Sequence, residues 1–589
     1  MACLRIGVTG HRPGPKFPDE SRGAVRATVD RVLGEVAAHT QTVAAREAWA
    51  FEAPQPSLVV VSALAEGGDR IVADSGRALG YSLNAVLPFL RAEYAADFAR
   101  DESRAHFTVL LDAAISVFEL PGQRDTADQA YQNAGHVMLA NSDVLIAIWD
   151  GKPAAGVGGT ALIVERAIHQ GLPVIVIDPK RPDAYAFVWH IDAAQTPGAQ
   201  DPASAPDLFA AIDALLAPPR GGEAPKRLKE FFAERERRAT IALAYPLLLL
   251  FAGVRRLRVS DFYLPDYVKT TAQNWKAYFG AMPQDRALAP VVRGPLLRAA
   301  AFADLLSVFH AQNYRSAYVF NFVAAALAVT LALFGVFAHD PPLSAYPGIG
   351  ESLVVLAILG IVWLGRSRQW HRRWLEYRRI AEALRQLRML AAVGARLPVA
   401  PADLHIGEDW PSWYVTAFMR MLPPADIAVD ARHVEAVRTA FRDAELKQQL
   451  DYHRSNAARM IHLSRRLHDW ATVLFFATAA ICIAYVSLCF LPDRALAAHW
   501  HGWAIFLAGV FPTVGAAIHA VRAQGEFQVV GERSLELAAR LEAIDRTVAG
   551  ELPVFAHLSD AVEQAAALML AEVHDWHVLF RARPLGLPA

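Results

Sequence analysis

Three glycine-containing loops hold the residues best able to do chemistry in this chain of 589 residues. The first, Thr9-Gly10-His11-Arg12, follows a short apolar run. Its glycine permits close backbone approach, and Arg12 can pair with a phosphate. A tight turn with an exposed basic residue explains the same four residues equally well. The second loop, Ser62-Ala63-Leu64-Ala65-Glu66-Gly67-Gly68-Asp69-Arg70, opens a helix. Two glycines at a helix start let N–H groups converge on an anion with the helix dipole behind them, and Glu66 and Asp69 can take ribose hydroxyls. The third runs from Asp150-Gly151-Lys152-Pro153 to Gly156-Val157-Gly158-Gly159-Thr160. Its glycines form a phosphate nest, with the Thr160 hydroxyl as a donor. Any one such loop is weak evidence; three at equivalent strand ends favour a nucleotide site over plain turn chemistry.

The elements that must position these loops are legible. Leu4–Val8, Leu58–Ser62, Leu83–Leu87, Ile115–Phe118, Val144–Trp149 and Val174–Asp178 are short, mostly β-branched runs bounded by Gly, Pro or Asp. Helix-length segments separate them, as in a βα repeat with a buried parallel sheet. The expected fold is therefore an α/β Rossmann-like parallel-sheet domain to about residue 220, where Pro218–Ala224 makes a break. Ligands in such sheets bind outside the carboxyl ends of the strands, where all three loops fall.

An all-α membrane domain with four transmembrane helices is expected to follow. Ala317–Ala338, Ser352–Gly365 with its glycine-rich lead-in, Ala471–Leu491 and Gly502–Val521 are long and apolar, and about 20 such residues cross a bilayer. Arginines crowd one side: Arg315, Arg366, Arg368, Arg372, Arg373, Arg454, Arg459, Arg465, Arg466 and Arg522. The short connections His339–Gly350 and Pro492–His501 carry only Arg494. The positive-inside rule then places those connections outside and both termini in the cytosol. Ile241–Val254 is shorter, contains Pro246, and reads as a buried or membrane-surface helix. The hairpins look duplicated, because Ala317 and Ala471 lie 154 residues apart and Arg366 and Arg522 lie 156 apart. The segmentation is a connector over 221–300, hairpins with their polar helices over 301–400 and 451–550, a second connector over 401–450, and a tail over 551–589.

Inside the spans there is little chemistry beyond Asn321 and His519. No array of carboxylates or arginines marks a pump or voltage sensor. A passive pore, a membrane-disrupting bundle or a plain anchor fits. Composition narrows the field further. The chain is 54% hydrophobic, with a net charge of −1 and three cysteines that form neither a CxxC pair nor a zinc pattern. Its basic clusters lack interleaved aromatics, so nucleic acid is not an expected partner, and no metal site is expected.

Ile6-Gly7-Val8-Thr9-Gly10-His11-Arg12, the Ser62–Asp69 loop and Gly158-Gly159-Thr160 together resemble the SLOG superfamily of Rossmann-like domains. That superfamily includes LOG-type nucleoside-phosphate hydrolases and ligand sensors of bacterial conflict systems. The hydrophobic hairpins with long helices, as in Tyr377-Arg378 and Ala381-Glu382, resemble SLATT-type effectors. The resemblance implies a sensor–effector of the bacterial inner membrane. It would bind a nucleotide messenger, ADP-ribose-like or cyclic, require no cofactor, act as a homo-oligomer and permeabilise the bilayer in anti-phage defence. The hydrolytic relatives carry a glutamate three residues after the loop threonine. Here Ile163 holds that place and the nearest acid is Glu165, which favours binding over catalysis. The rival reading is a membrane-anchored hydrolase of a nucleoside phosphate or NAD-like substrate, with Glu66 as base. A scaffold that binds nothing is the third.

Overall fold

The structure is a computed structural model. It describes residues 2–588 except 52, 54, 154–158, 190–206, 241, 282–284, 338–344, 398–408, 492–493 and 551–553. An eight-stranded, mostly parallel sheet forms the N-terminal part. Its strands are β1 (Cys3–Gly10), β2 (Ser57–Ser62), β3 (Ser82–Leu87), β4 (Ser116–Glu119), β5 (Val144–Ile148), β6 (Val174–Ile177), β7 (Tyr185–Val188) and β8 (Ile427–Ala428). The spatial order is β7-β6-β5-β1-β2-β3-β4-β8. Only β7 runs antiparallel, on the edge beside β6. The chain winds outward from β1 to β4 and then returns to β5 on the other side of β1. The topological switch point, where open α/β sheets bind ligands, therefore lies between β1 and β5.

Period-two alternation builds a core on each face of the sheet. Leu4, Ile6, Val8, Val60, Ile146 and Ile148 pack on one side. They meet α1 (Arg22–Arg46), α2 (Gly68–Ala78), α3 (Asp101–Asp112) and α6 (Leu208–Leu216). On the other side, Cys3, Val59, Val61, Val86, Phe118 and Leu145 meet α4 (Ala127–Ala140) and α5 (Thr160–His169). That second core is continuous with helices from the C-terminal half, including Trp275, Leu384, Trp410 and Val562.

Apart from β8, the C-terminal part is helical. Its helices include α7 (Ala244–Phe251), α8 (Leu297–Phe334), α9 (Ala345–Ser367), α10 (Trp370–Ala392) and α11 (Trp410–Met421). Then come α12 (Lys447–Cys489), α13 (Arg494–Gly525), α14 (Phe527–Gly550) and α15 (Phe555–Arg581). Four helical stretches, containing α8, α9, α12 and α13, are long and apolar enough to cross a membrane. Phe475, Phe476, Ile483 and Trp363 are each about two-thirds exposed or more. An aqueous protein would not leave such side chains uncovered in one band.

The two hairpins share local irregularities. A π-helical turn precedes each first span, Val292–Leu296 before α8 and Phe441–Leu446 before α12. A left-handed, non-glycine residue ends each second span, Gln369 (φ 51°) and Glu526 (φ 46°). An aromatic residue, Trp370 or Phe527, then opens the next helix. Left-handed backbone costs an L residue about 1–2 kcal/mol, so the surroundings must hold both junctions in place. Gln369 bonds Arg372, and Glu526 pairs with Arg583.

The segment between the hairpins is built into the sheet. Ile427 and Ala428 pair in parallel with Phe118 and Glu119, and Val429 N–H donates to the Glu119 carbonyl at 2.8 Å.

Candidate functional site

Parallel strands end together, so β1, β2 and β5 deliver their loops to one rim. Thr9 is buried at the end of β1. Gly10 then passes so close to Gly68 that a Cβ on Gly10 would lie 2.9 Å from the Gly68 Cα. Gly67 has φ +96°, and a Cβ there would meet the His11 carbonyl oxygen at 2.5 Å. The Gly68 N–H donates to that carbonyl at 3.3 Å. Packing of the first loop against the second thus requires these glycines, and the first amide of α2 is already engaged. Ser62 is buried, its hydroxyl accepting from Leu64 N–H at 3.0 Å and fixing Leu64 at φ 57°. Ala63 is half-buried beside it.

The charged residues of these loops take distinct roles. His11 Nε2 lies 3.0 Å from Asp150 Oδ1, bridging the ends of β1 and β5. Burial raises the Asp150 pKa, but the His11 bond and the Lys152 amide outweigh it and hold the carboxyl below its usual range. Arg12 is half exposed, donates to Tyr131 Oη at 3.2 Å and lies over that ring. Asp69 is buried beneath the two loops and does not face solvent. Burial pushes its pKa up to about 7 against the opposing pull of the Ala65 amide, Arg12, Arg70 and the Gly10 amide. Glu66 is tied to the Ser103 hydroxyl of α3, which Arg70 also contacts at 2.8 Å.

The β5 side is more open. Among the described residues nothing would crowd a Cβ on Gly151 (φ +75°) or Gly159. Gly159 precedes Thr160 at the start of α5, and no side chain among the described residues caps that helix. The Leu162 amide already donates to the Gly159 carbonyl at 3.1 Å, which leaves the Thr160 and Ala161 amides to meet an anion. Gly158, with Gly156 and Val157, lies outside the described residues. Ile163, at the position of the family glutamate, is buried and faces Gly135 of α4.

The rim therefore gathers Gly10, His11, Arg12, Gly67, Gly68 and Asp150, with Gly151 and Thr160 along its open edge. Glu66 turns toward Ser103. Sequence reasoning did not single out Tyr131 and Asp97, although Tyr131 bonds both Arg12 and Asp97, and Arg124 completes the chain. Neither residue belongs to a spaced motif, so only the fold brings them together.

Among the described residues no three His, Cys, Asp or Glu side chains are grouped to hold a metal ion. A cavity of about 300 Å3 lies among the C-terminal helices, and one of about 410 Å3 lies between such helices and Ala50 and Phe51, neither at this rim. No family model matches the chain, and no curated protein matches it.

Proposed function

We propose that this chain is a membrane-spanning sensor–effector of the SLOG–SLATT kind. The crevice at the ends of β1 and β5 receives the phosphate of a nucleotide-derived messenger, ADP-ribose-like or cyclic. Arg12 and the open amides of α5 supply the positive field, and the His11–Asp150 pair holds the two strand ends together. The observation that carries the reading is the continuity between this sheet and the span helices: β8 and α11, which lie between the hairpins, are part of the sheet domain's structure. A change at the rim can thus reach the spans through packed atoms rather than a flexible linker. The ligand shifts the resting and active states only by its differential affinity for them. In this reading the protein sits in the bacterial inner membrane with both termini in the cytosol. It assembles as a homo-oligomer, because four spans with few polar groups cannot line a pore alone, and it opens the membrane in anti-phage defence.

The test is mass spectrometry of small molecules that co-purify, followed by thermal shift against a panel of ADP-ribose derivatives and cyclic nucleotides. At least one ligand should raise the melting temperature of the wild type. Loss of a charge-assisted phosphate contact in Arg12→Ala should weaken binding about ten- to a hundredfold. No shift at millimolar ligand would overturn the proposal. Turnover of a nucleotide that disappears in Glu66→Gln would instead establish the hydrolase.

A further inference from the structure

The cavity of about 300 Å3 lies at the end of the bundle where the second spans hand over to α10 and α14. One wall is α7. Ser316, one residue before the apolar run of α8, accepts from Tyr245 N–H at 3.2 Å and donates to the Ala242 carbonyl at 2.6 Å. This pins α7 at the depth where the span begins. The outer face of α7 exposes Leu247, Leu250 and Phe251, and exposed Arg256 and Arg258 follow. An apolar face with a basic flank belongs at a bilayer surface. Its inner face, Tyr245 and Pro246, lines the cavity.

Arg315 lines the same cavity, its guanidinium 5.6 Å from the Tyr245 ring centre and 5.2 Å from that of Trp374. Among the described residues no carboxylate lies within ion-pair distance of it. The other arginines in the wall are neutralised: Arg255 by Asp261 at 2.8 Å, and Arg378 by Glu382 at 2.5 Å. Tyr245 and Tyr318 lie close enough to Arg315 to feel its charge. His453, 5% exposed, and Gln312 also line the cavity. Arg315 is thus the arginine of this wall left without a carboxylate among the described residues, and a cation so placed beside a cavity suits an anionic ligand. Glu572 also lines the wall, 3.7 Å from His453 Nε2. Burial pushes its pKa up to about 7, so near neutral pH it is in part a hydrogen-bond donor.

We propose that this cavity binds the phosphate of an anionic phospholipid headgroup, with Arg315 as its principal cation. The proposal rests on the membrane reading and not on the nucleotide site.

The full-length protein, purified in detergent, is assayed by thermal stability with added phosphatidylglycerol, phosphatidylcholine or glycerol 3-phosphate. Phosphatidylglycerol should stabilise the wild type and phosphatidylcholine should not. Arg315→Gln should weaken the effect at least about tenfold, while Arg181→Gln, on the exposed surface of the sheet domain, should leave it intact. Stabilisation by glycerol 3-phosphate that vanishes in Arg315→Gln would assign the same site to a soluble phosphate. Equal stabilisation of wild type and Arg315→Gln would overturn the proposal. Should that variant not fold, native mass spectrometry of the wild type decides: no preference for phosphatidylglycerol over phosphatidylcholine also overturns it. Recovery of the protein in the soluble fraction without detergent would sink the membrane reading as well. A membrane-extracted protein indifferent to lipid charge sinks this proposal alone.

Discussion

Arg420 of α11 donates to Asp143, the residue before β5, at 2.9 Å, and both side chains are buried. The Arg5 backbone N–H donates to the same carboxylate at 3.0 Å, and Arg396 approaches it at 3.4 Å. One acid thus receives three basic residues and ties the amino ends of β1 and β5 to the segment that separates the hairpins. The loop rim lies at the opposite ends of the same two strands, so the strands span the distance between rim and helices.

Removing that acid leaves buried arginines without a counter-ion. Asp143→Asn should destabilise the protein by about 3–5 kcal/mol, read as a lower melting temperature in detergent. Burial raises the Asp143 pKa, but Arg420, Arg396 and Arg5 more than offset it, so the folded value lies below the usual one. Its stabilisation is therefore present above the unfolded pKa, about 4, and is lost as pH falls through the folded value. The acid slope of wild-type stability should be shallower in Asp143→Asn.

Asp69 has the opposite sign. Its folded pKa is raised to about 7, so the native state holds a proton that the unfolded chain releases near pH 4. Its contribution is greatest below the unfolded pKa and is lost as pH rises through the folded one. Melting temperatures at pH 5 and pH 8 should differ less in Asp69→Asn than in the wild type.

The glycines of the rim should separate by role. Gly67→Ala combines a positive φ with a Cβ placed 2.5 Å from the His11 carbonyl and should cost about 1 kcal/mol or more. Gly159→Ala meets open space among the described residues and should melt within about 0.5 kcal/mol of the wild type. Gly159→Asp places a carboxylate at the start of α5. It should keep the fold, since acids suit helix N-termini, while repelling a phosphate and abolishing the ligand-induced shift.

Much of this architecture can be read from residue order. β-branched runs such as Leu4–Val8 and Val144–Trp149 announce the sheet because both faces are buried. Apolar length announces the spans in the same way. The two edge strands escape, since four residues in Tyr185–Val188 and two in Ile427–Ala428 carry no periodicity. β8 belongs to the sheet only because Phe118 and Glu119 offer it a free edge. The breaks at Gln369 and Glu526 are also hidden, because left-handed backbone is normally announced by glycine. At the rim, Gly10, His11 and Arg12 are legible from their place after β1. Asp69 is chemically legible too, but its burial beneath the loops depends on how Gly10 and Gly68 pack. The Arg12–Tyr131–Asp97 chain and the arginines around Asp143 depend on contacts between distant segments, which spacing does not encode.

Ligand-gated permeability measured in sealed proteoliposomes tests the coupling of rim to bundle most directly. A nucleotide that stabilises the wild type should release an entrapped dye from wild-type vesicles and not from those carrying Gly159→Asp. Vesicles that stay sealed while the wild-type protein is saturated with that nucleotide would contradict the account.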